Sequence, residues 1–181
     1  MKIMFASDIH GSAYYCKEML EAYEREKAER LMLLGDLLYH GPRNDLPREY
    51  APKEVIAMLN ARKHEIYAVR GNCEAEVDQM VLDFPVMADY GVLLDGGRAI
   101  YATHGHIYHE HHLPPLKKGD ILIHGHTHVL QAKKAGDCYI LNPGSVSIPK
   151  EGNPPSYGIW QEGLFEIRTL EGETIRQLRC E

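Results

Sequence analysis

Residues 2–11, Lys-Ile-Met-Phe-Ala-Ser-Asp-Ile-His-Gly, set the plan of this chain. Lys2 to Ser7 is a short, mostly apolar run suited to a buried strand. It runs directly into Asp8, His10 and Gly11. The same arrangement recurs four times: Leu31 to Leu34 ends at Gly35-Asp36, Ile66 to Val69 at Arg70-Gly71-Asn72, Ala99 to Thr103 at His104-Gly105, and Ile121 to His124 at Gly125-His126-Thr127-His128. Two helical patterns separate the first three runs. Ser12 can cap a helix from Ala13 to Glu29, with Met19, Leu20 and Tyr23 at helical spacing and Glu18, Glu21, Glu24, Arg25 and Lys27 on the wet face. Pro52 opens a second helix to about Arg62, with Val55, Ile56 and Leu59 inward.

This alternation predicts a parallel sheet with helices packed on it. The second half changes character. Val86–Leu94, Val129–Lys133, Tyr139–Leu141, Tyr157–Trp160, Leu164–Thr169 and Thr174–Leu178 join the two runs already noted as strands, with hairpin turns at Asp95-Gly96-Gly97 and Glu162-Gly163. The expected fold is α/β: two stacked mixed sheets, a sandwich, flanked by helices, in one domain over residues 1–181.

Composition narrows the function. Hydrophobic residues make up 44% and charged residues 25%, the balance of a soluble globular domain. The net charge of -6 argues against broad contact with nucleic acid. No stretch approaches the roughly 20 apolar residues of a membrane span. Cys16, Cys73, Cys138 and Cys180 form no CxxC pair, which favours a reducing cytoplasm over a disulfide framework.

In open α/β sheets, ligands bind beyond the carboxyl ends of the strands. Five such ends here carry polar residues, so five loops can meet at one crevice. Asp8 and His10 are two apart, as are His126 and His128, and in extended backbone each pair would face one side. Singly, each residue has an ordinary reading: Asp as a turn residue, His as a structural or solvated side chain, Gly-Asn as a turn. Their joint occurrence carries the functional reading. Two carboxylates, one amide and four imidazoles can hold two divalent metals.

Together, Asp8-x-His10, Gly35-Asp36, Gly71-Asn72, His104 and Gly125-His126-x-His128 resemble the signature of the calcineurin-like metallophosphoesterase superfamily. Phe5–Gly11, Gly41-Pro42-Arg43-Asn44, Val69–Glu74, Thr103–His106 and Asn142–Lys150 extend the likeness to its small YfcE-type bacterial phosphodiesterases. The resemblance implies a metallophosphoesterase fold. It implies one metal on Asp8, His10 and His128, another on Asn72, His104 and His126, and Asp36 bridging. Two metals about 3.5–4 Å apart can clamp a phosphoryl group and hold a bridging hydroxide for in-line attack. Imidazole, carboxylate and amide donors suit Mn, Fe, Zn, Co or Ni, with Mn favoured. The expected function is hydrolysis of a small phosphate ester, most readily a diester, with His104 also stabilising the transition state and with Asn72 and Cys73 beside it as the other catalytic candidates.

Cys73 departs from the pattern, since many members of the family carry His after the ligand Asn. A thiol is a weak donor without positive charge, which favours good leaving groups or singly charged diesters. Glu74 is expected in the first turn of a helix. Arg43, Asn44 and His106 are candidate substrate contacts. His109, His111 and His112 read as solvated. The alternatives are a phosphomonoesterase with the same site, and a binding scaffold such as a retromer subunit of similar fold. A homo-oligomer could form by strand pairing in the second half.

Overall fold

The computed structural model describes residues 1–181. The strand that sets the plan, β1 (Lys2–Ala6), is buried on both faces. Its side chains alternate between two cores, as period-2 geometry requires. Met4 and Ala6 join the apolar faces of α1 (Ala13–Glu26) and α2 (Pro52–Asn60). Ile3 and Phe5 join the other core, with Trp160 and Phe165. β2 (Arg30–Leu33) repeats the division: Leu31 and Leu33 face the helix side, and Met32 the other.

β1 and β2 pair in parallel, and β3 (Ile66–Ala68) continues the parallel set beside β2. After α3 (Glu76–Val81) come β4 (Tyr90–Asp95), β5 (Arg98–Thr103), β6 (Ile121–Ile123), β7 (Gln131–Ala135) and β8 (Cys138–Asn142). These five form a second sheet, ordered β4-β5-β6-β8-β7. The chain then returns through β9 (Ser156–Gln161), β10 (Leu164–Thr169) and β11 (Thr174–Arg179) to finish the first sheet, ordered β11-β10-β9-β1-β2-β3. Both sheets mix parallel and antiparallel pairs. Ile100, Ala102, Ile121, Ile123, Tyr139 and Leu141 meet Ile3, Phe5 and Trp160 in one core, so the sheets stack as a sandwich. Trp160 Nε1–H donates to Asp95 on β4 at 2.9 Å, tying the sheets together.

The expected architecture holds, and the differences have local causes. Ser12 caps α1, accepting the Tyr15 N–H at 3.2 Å. The helix stops at Glu26, three residues early, because Lys27 adopts φ 52°. Glu29 N–H then bonds to Lys2 O at 2.8 Å, which turns the chain into β2. Residues 86–89 are not strand. The Val86 N–H goes to the Gln79 side chain, and the Ala88 carbonyl takes the Arg70 N–H, so neither joins a ladder. The helix expected to begin at Glu74 starts at Glu76 and is short; its Val77 and Met80 are exposed and give no inward apolar stripe.

Candidate functional site

The parallel registers bring the carboxyl ends of β1, β2 and β3 side by side, and likewise those of β5 and β6. Asp8, His10, Asp36, Asn72, His104, His126 and His128 follow these ends and converge. His10 Nε2 lies 3.3 Å from His128 Nε2. Asp8 Oδ1 is 3.3 Å from His128 Nε2 and 3.6 Å from His10 Nε2. His104 Nε2 is 3.2 Å from both Asn72 Oδ1 and His126 Nδ1. Asp36 Oδ2 sits between these groups, 3.4 Å from His104 Nε2 and 3.7 Å from His10 Nε2.

The expected extended backbone at the paired residues is wrong. Asp8, His10, His126 and His128 all have positive φ, from 50° to 66°, as does Asp36 at 55°. Nine non-glycine residues in the protein adopt this region, and five belong to the cluster. Such strain persists only where surroundings impose it. Here Ser145 and Ser147 hydroxyls both donate to Asp8 O at 2.9 Å. Asp8 N–H donates to Gly35 O and His10 N–H to Asp36 O. The Asn142–Ser145 turn is therefore a clamp on the first loop. Gly125 is required by close approach: a β-carbon there would collide with Ser7.

Hydrogen bonds fix which atoms face inward. The Nδ1 atoms of His10, His128 and His104 lie 2.8, 2.8 and 2.7 Å from the carbonyls of Tyr39, Ile148 and Leu34. A carbonyl can only accept, so each Nδ1 carries a proton, and in the neutral ring each Nε2 presents a lone pair. Each aspartate spends one oxygen on backbone. Asp8 Oδ2 accepts His126 N–H at 3.0 Å and Asp36 Oδ1 accepts Cys73 N–H at 2.9 Å. Asp8 Oδ1 is left buried with no hydrogen-bond partner. Lone pairs thus face lone pairs, an arrangement that only cations or protons relieve. Asp8, His10 and His128 form one group able to hold a metal ion, Asp8, Asp36 and His104 another, and His10, Asp36 and Cys73 a third.

The electrostatics agree. Burial opposes ionisation of Asp8, but His10, His128 and His104 outweigh it and hold the carboxyl well below its usual value. Burial opposes protonation of His104, yet Asp36 and Asp8 raise it to about 9. Burial and then His104 push His126 down to about 4. The site carries surplus negative charge suited to bound cations.

Glu74 is not in a helical turn. It is buried just ahead of α3, accepting the N–H groups of Asp36 at 2.9 Å, Leu37 at 2.7 Å and Gly71. It braces the second and third loops against each other. Cys73 is half-buried and lines a cavity of about 220 Å³ with His10, Asp36, Arg43, Asn44 and Lys150. Burial and then Asp36 push its thiol pKa up. Arg43 is exposed on that cavity, while the Asn44 amide is tied to His40 O at 2.8 Å and shapes the loop. His106 lies beside His104, with ring centroids 5.4 Å apart, and faces a neighbouring cavity instead. His109 and His112 pair backbone to backbone in a turn where His111 and His112 are exposed, as expected, but His109 is half-buried, and His109 and His111 line that same cavity. Lys150 and His124 were not among the expected site residues. Their signals were weak: a lone Lys after a Ser-rich turn, and a His immediately before Gly125.

The model of the calcineurin-like phosphoesterase superfamily domain matches residues 1–162. Phosphodiesterase YfcE of Escherichia coli K12 is 46% identical over 175 residues, covering 97% of this chain and 95% of that protein. A solved structure of YfcE, a phosphoesterase from E. coli, matches with a TM-score of 0.97 and 45% identity over all of both chains. Vps29 of Entamoeba histolytica, complexed with Zn²⁺, matches at TM-score 0.62 and 20% identity over all of both chains, a likeness of fold alone. This chain belongs to the calcineurin-like phosphoesterase superfamily.

Proposed function

We propose that this protein is a metal-dependent phosphodiesterase acting on small phosphate esters. The convergence of lone pairs on Asp8, His10, Asp36, Asn72, His104, His126 and His128 carries the reading. Asp8, His10 and His128 would hold one ion, Asn72, His104 and His126 a second, with Asp36 shared. Mn²⁺ is the favoured ion, with Fe, Zn, Co or Ni as alternatives. Such ions, when bound, polarise a phosphoryl oxygen and acidify water toward a nucleophile.

The protein's own residues do the rest. Arg43 and Lys150 line the cavity above the cluster and offset the charge of the phosphoryl group. Asn72 directs Oδ1 to His104 Nε2 and its amide nitrogen to Cys73 Sγ, 3.4 Å away. His104 is fully buried, so it acts through Nε2 alone. Cys73 keeps its proton and offers no cationic acid to a departing alkoxide. This favours diesters with good leaving groups over alkyl monoesters, and the 46% identical relative is named a phosphodiesterase.

The test is hydrolysis of matched aryl and alkyl mono- and diesters with each metal, paired with metal content. Cys73→His should raise monoester turnover relative to diester by about a hundredfold, the low end of general-acid effects. An unchanged ratio removes Cys73 from the chemistry. No hydrolysis of any aryl diester with Mn, Fe, Zn, Co or Ni would favour a binding scaffold.

The chain is read as one domain, since β9–β11 complete the sheet that β1 begins; a single unfolding transition would agree. No helix is long and apolar enough to cross a membrane, and a cytoplasmic location is proposed, to be checked by fractionation. A homo-oligomer is proposed through β4. Of the sheet edges, β7 carries Lys133 and Lys134, β11 carries Arg176 and Arg179, and β3 is three residues long. β4 instead exposes Tyr90, Val92 and Leu94 without such guards, and a second copy can pair there about a twofold axis. Leu94→Lys should shift the mass seen by light scattering to the monomer.

A further inference from the structure

On the far side of His126 from Cys73 lies a second cavity of about 520 Å³, lined by His106, Glu110, His124, Thr127, Gln131 and Glu151 among others. His126 lines both cavities. No role described above uses this space.

His124 is the telling wall. It is 4% exposed, and its Nε2 is buried without a hydrogen-bond partner. Asn142 fixes its tautomer. The Asn142 oxygen accepts Gly144 N–H at 2.9 Å, which settles the amide's orientation. Its two amide hydrogens go to Gly125 O at 2.9 Å and Thr127 Oγ1 at 3.1 Å. None remains for His124 Nδ1, 3.4 Å away. His124 Nδ1 therefore carries its own proton and donates it to Gly125 O at 3.1 Å. Nε2 is left as a bare acceptor, and an unmet buried acceptor is costly. His106 Nδ1 is a second unpartnered buried nitrogen on a residue of the same wall. Of six such side-chain atoms in the protein, these two are on residues of this cavity, while Asp8 Oδ1 belongs to the donor cluster.

The charge of the two cavities differs. Arg43 and Lys150 line the one above the cluster. The second holds Glu110 and Glu151 and no Lys or Arg. Glu110 is fixed there by Lys133 and by Gln131. An anionic phosphoryl group belongs in the first space. The second calls for a neutral group that donates hydrogen bonds. No group of three metal donors forms there.

We propose that this cavity is the subsite for one alcohol arm of the diester, and that it selects a polyol arm through a hydroxyl donated to His124 Nε2. The proposal rests on the phosphodiesterase reading. It is tested with 4-nitrophenyl glyceryl phosphate and 4-nitrophenyl propyl phosphate, which differ in the hydroxyls of the second arm. The readout is the ratio of kcat/KM, glyceryl over propyl. The wild type favours the glyceryl diester. His124→Phe lowers the ratio about tenfold, the value of one hydrogen bond to a buried acceptor, mainly through KM. His124→Gln keeps an acceptor and restores most of it. His106→Phe, at a half-buried position, lowers the ratio as well and serves if His124→Phe does not fold. A ratio within twofold of wild type in all three variants overturns the subsite.

A binding arm needs no turnover. In Zn²⁺-loaded protein with ¹⁵N-labelled histidine, glycerol 1-phosphate moves the His124 Nε2 resonance and inorganic phosphate does not. Equal responses to both also overturn the subsite. A selective shift without hydrolysis of either diester supports the subsite and defeats the phosphodiesterase reading instead.

Discussion

The six-stranded sheet and the five-stranded sheet contribute different chemistry to one site. The first supplies Asp8, His10, Asp36 and Asn72, mostly oxygen donors. The second supplies only imidazoles, from His104, His126 and His128. Neither sheet completes either group. His128 joins Asp8 and His10, and Asn72 meets His104 and His126. A hydrogen bond across the stack, from the His126 backbone N–H to the Asp8 carboxylate Oδ2, sets one half against the other. The site therefore exists only when the sheets are stacked, and metal binding and folding share the same contacts.

Breaking the carboxylate that ties the two sheets together should have the largest effect. Asp8→Ala removes the inward Oδ1 and the tie to His126 together. We expect kcat/KM for an aryl diester to fall at least about a thousandfold, several kcal/mol of lost transition-state stabilisation, with at least one metal lost by elemental analysis. Two metals per chain retained in this variant would falsify the cross-sheet grouping. Chelation should come next. If metal stands at about a thousand times its Kd, removing it costs about 4 kcal/mol, and Tm should fall by about 10 °C in a chain of this size. Calorimetry with and without chelator measures this, and Asp8→Ala should show a smaller drop.

Glu74→Gln probes the first sheet's own bracing. An amide cannot accept all three N–H groups and sets a donor against a donor. Metal affinity should weaken about 10–100-fold, as for lost outer partners of metal ligands, measured by competition with a chelating dye. Unchanged affinity would leave Glu74 as a loop filler only.

The smallest effect tests the first sheet away from the site. Glu26 meets Lys2, Tyr157 and Arg168. Burial opposes its ionisation, but these partners outweigh it and lower its pKa. The folded value lies below the unfolded one, so its contribution is present above the unfolded pKa of about 4.3 and lost as pH falls through the folded value. Glu26→Gln should cost about 1–2 kcal/mol at pH 7, with the gap closing in acid and turnover unaffected. Urea unfolding across pH would show it; a gap independent of pH would remove the charge from the account.

The donor set was legible because each member ends an apolar run. Its geometry was not. Extended backbone would turn Asp8 and His10 to one side, but the clamp by Ser145 and Ser147, 137 and 139 residues away, holds them at positive φ instead. Glu74 looked like a helix-start acid because its true partners, Asp36 and Leu37, lie 38 and 37 residues upstream. His124 looked like the end of a strand, and its unmet Nε2 depends on how Asn142 spends its two hydrogens.

By itself the sequence determined the family and the two-sheet plan and pointed to the seven candidate donors, since these follow from local runs and the residues that end them. Only the tertiary structure decided which lone pairs face each other, which acid braces the loops, and that a donor-seeking cavity adjoins His126. Those depend on hydrogen bonds between residues far apart in the chain, whose partners are chosen when the sheets pack.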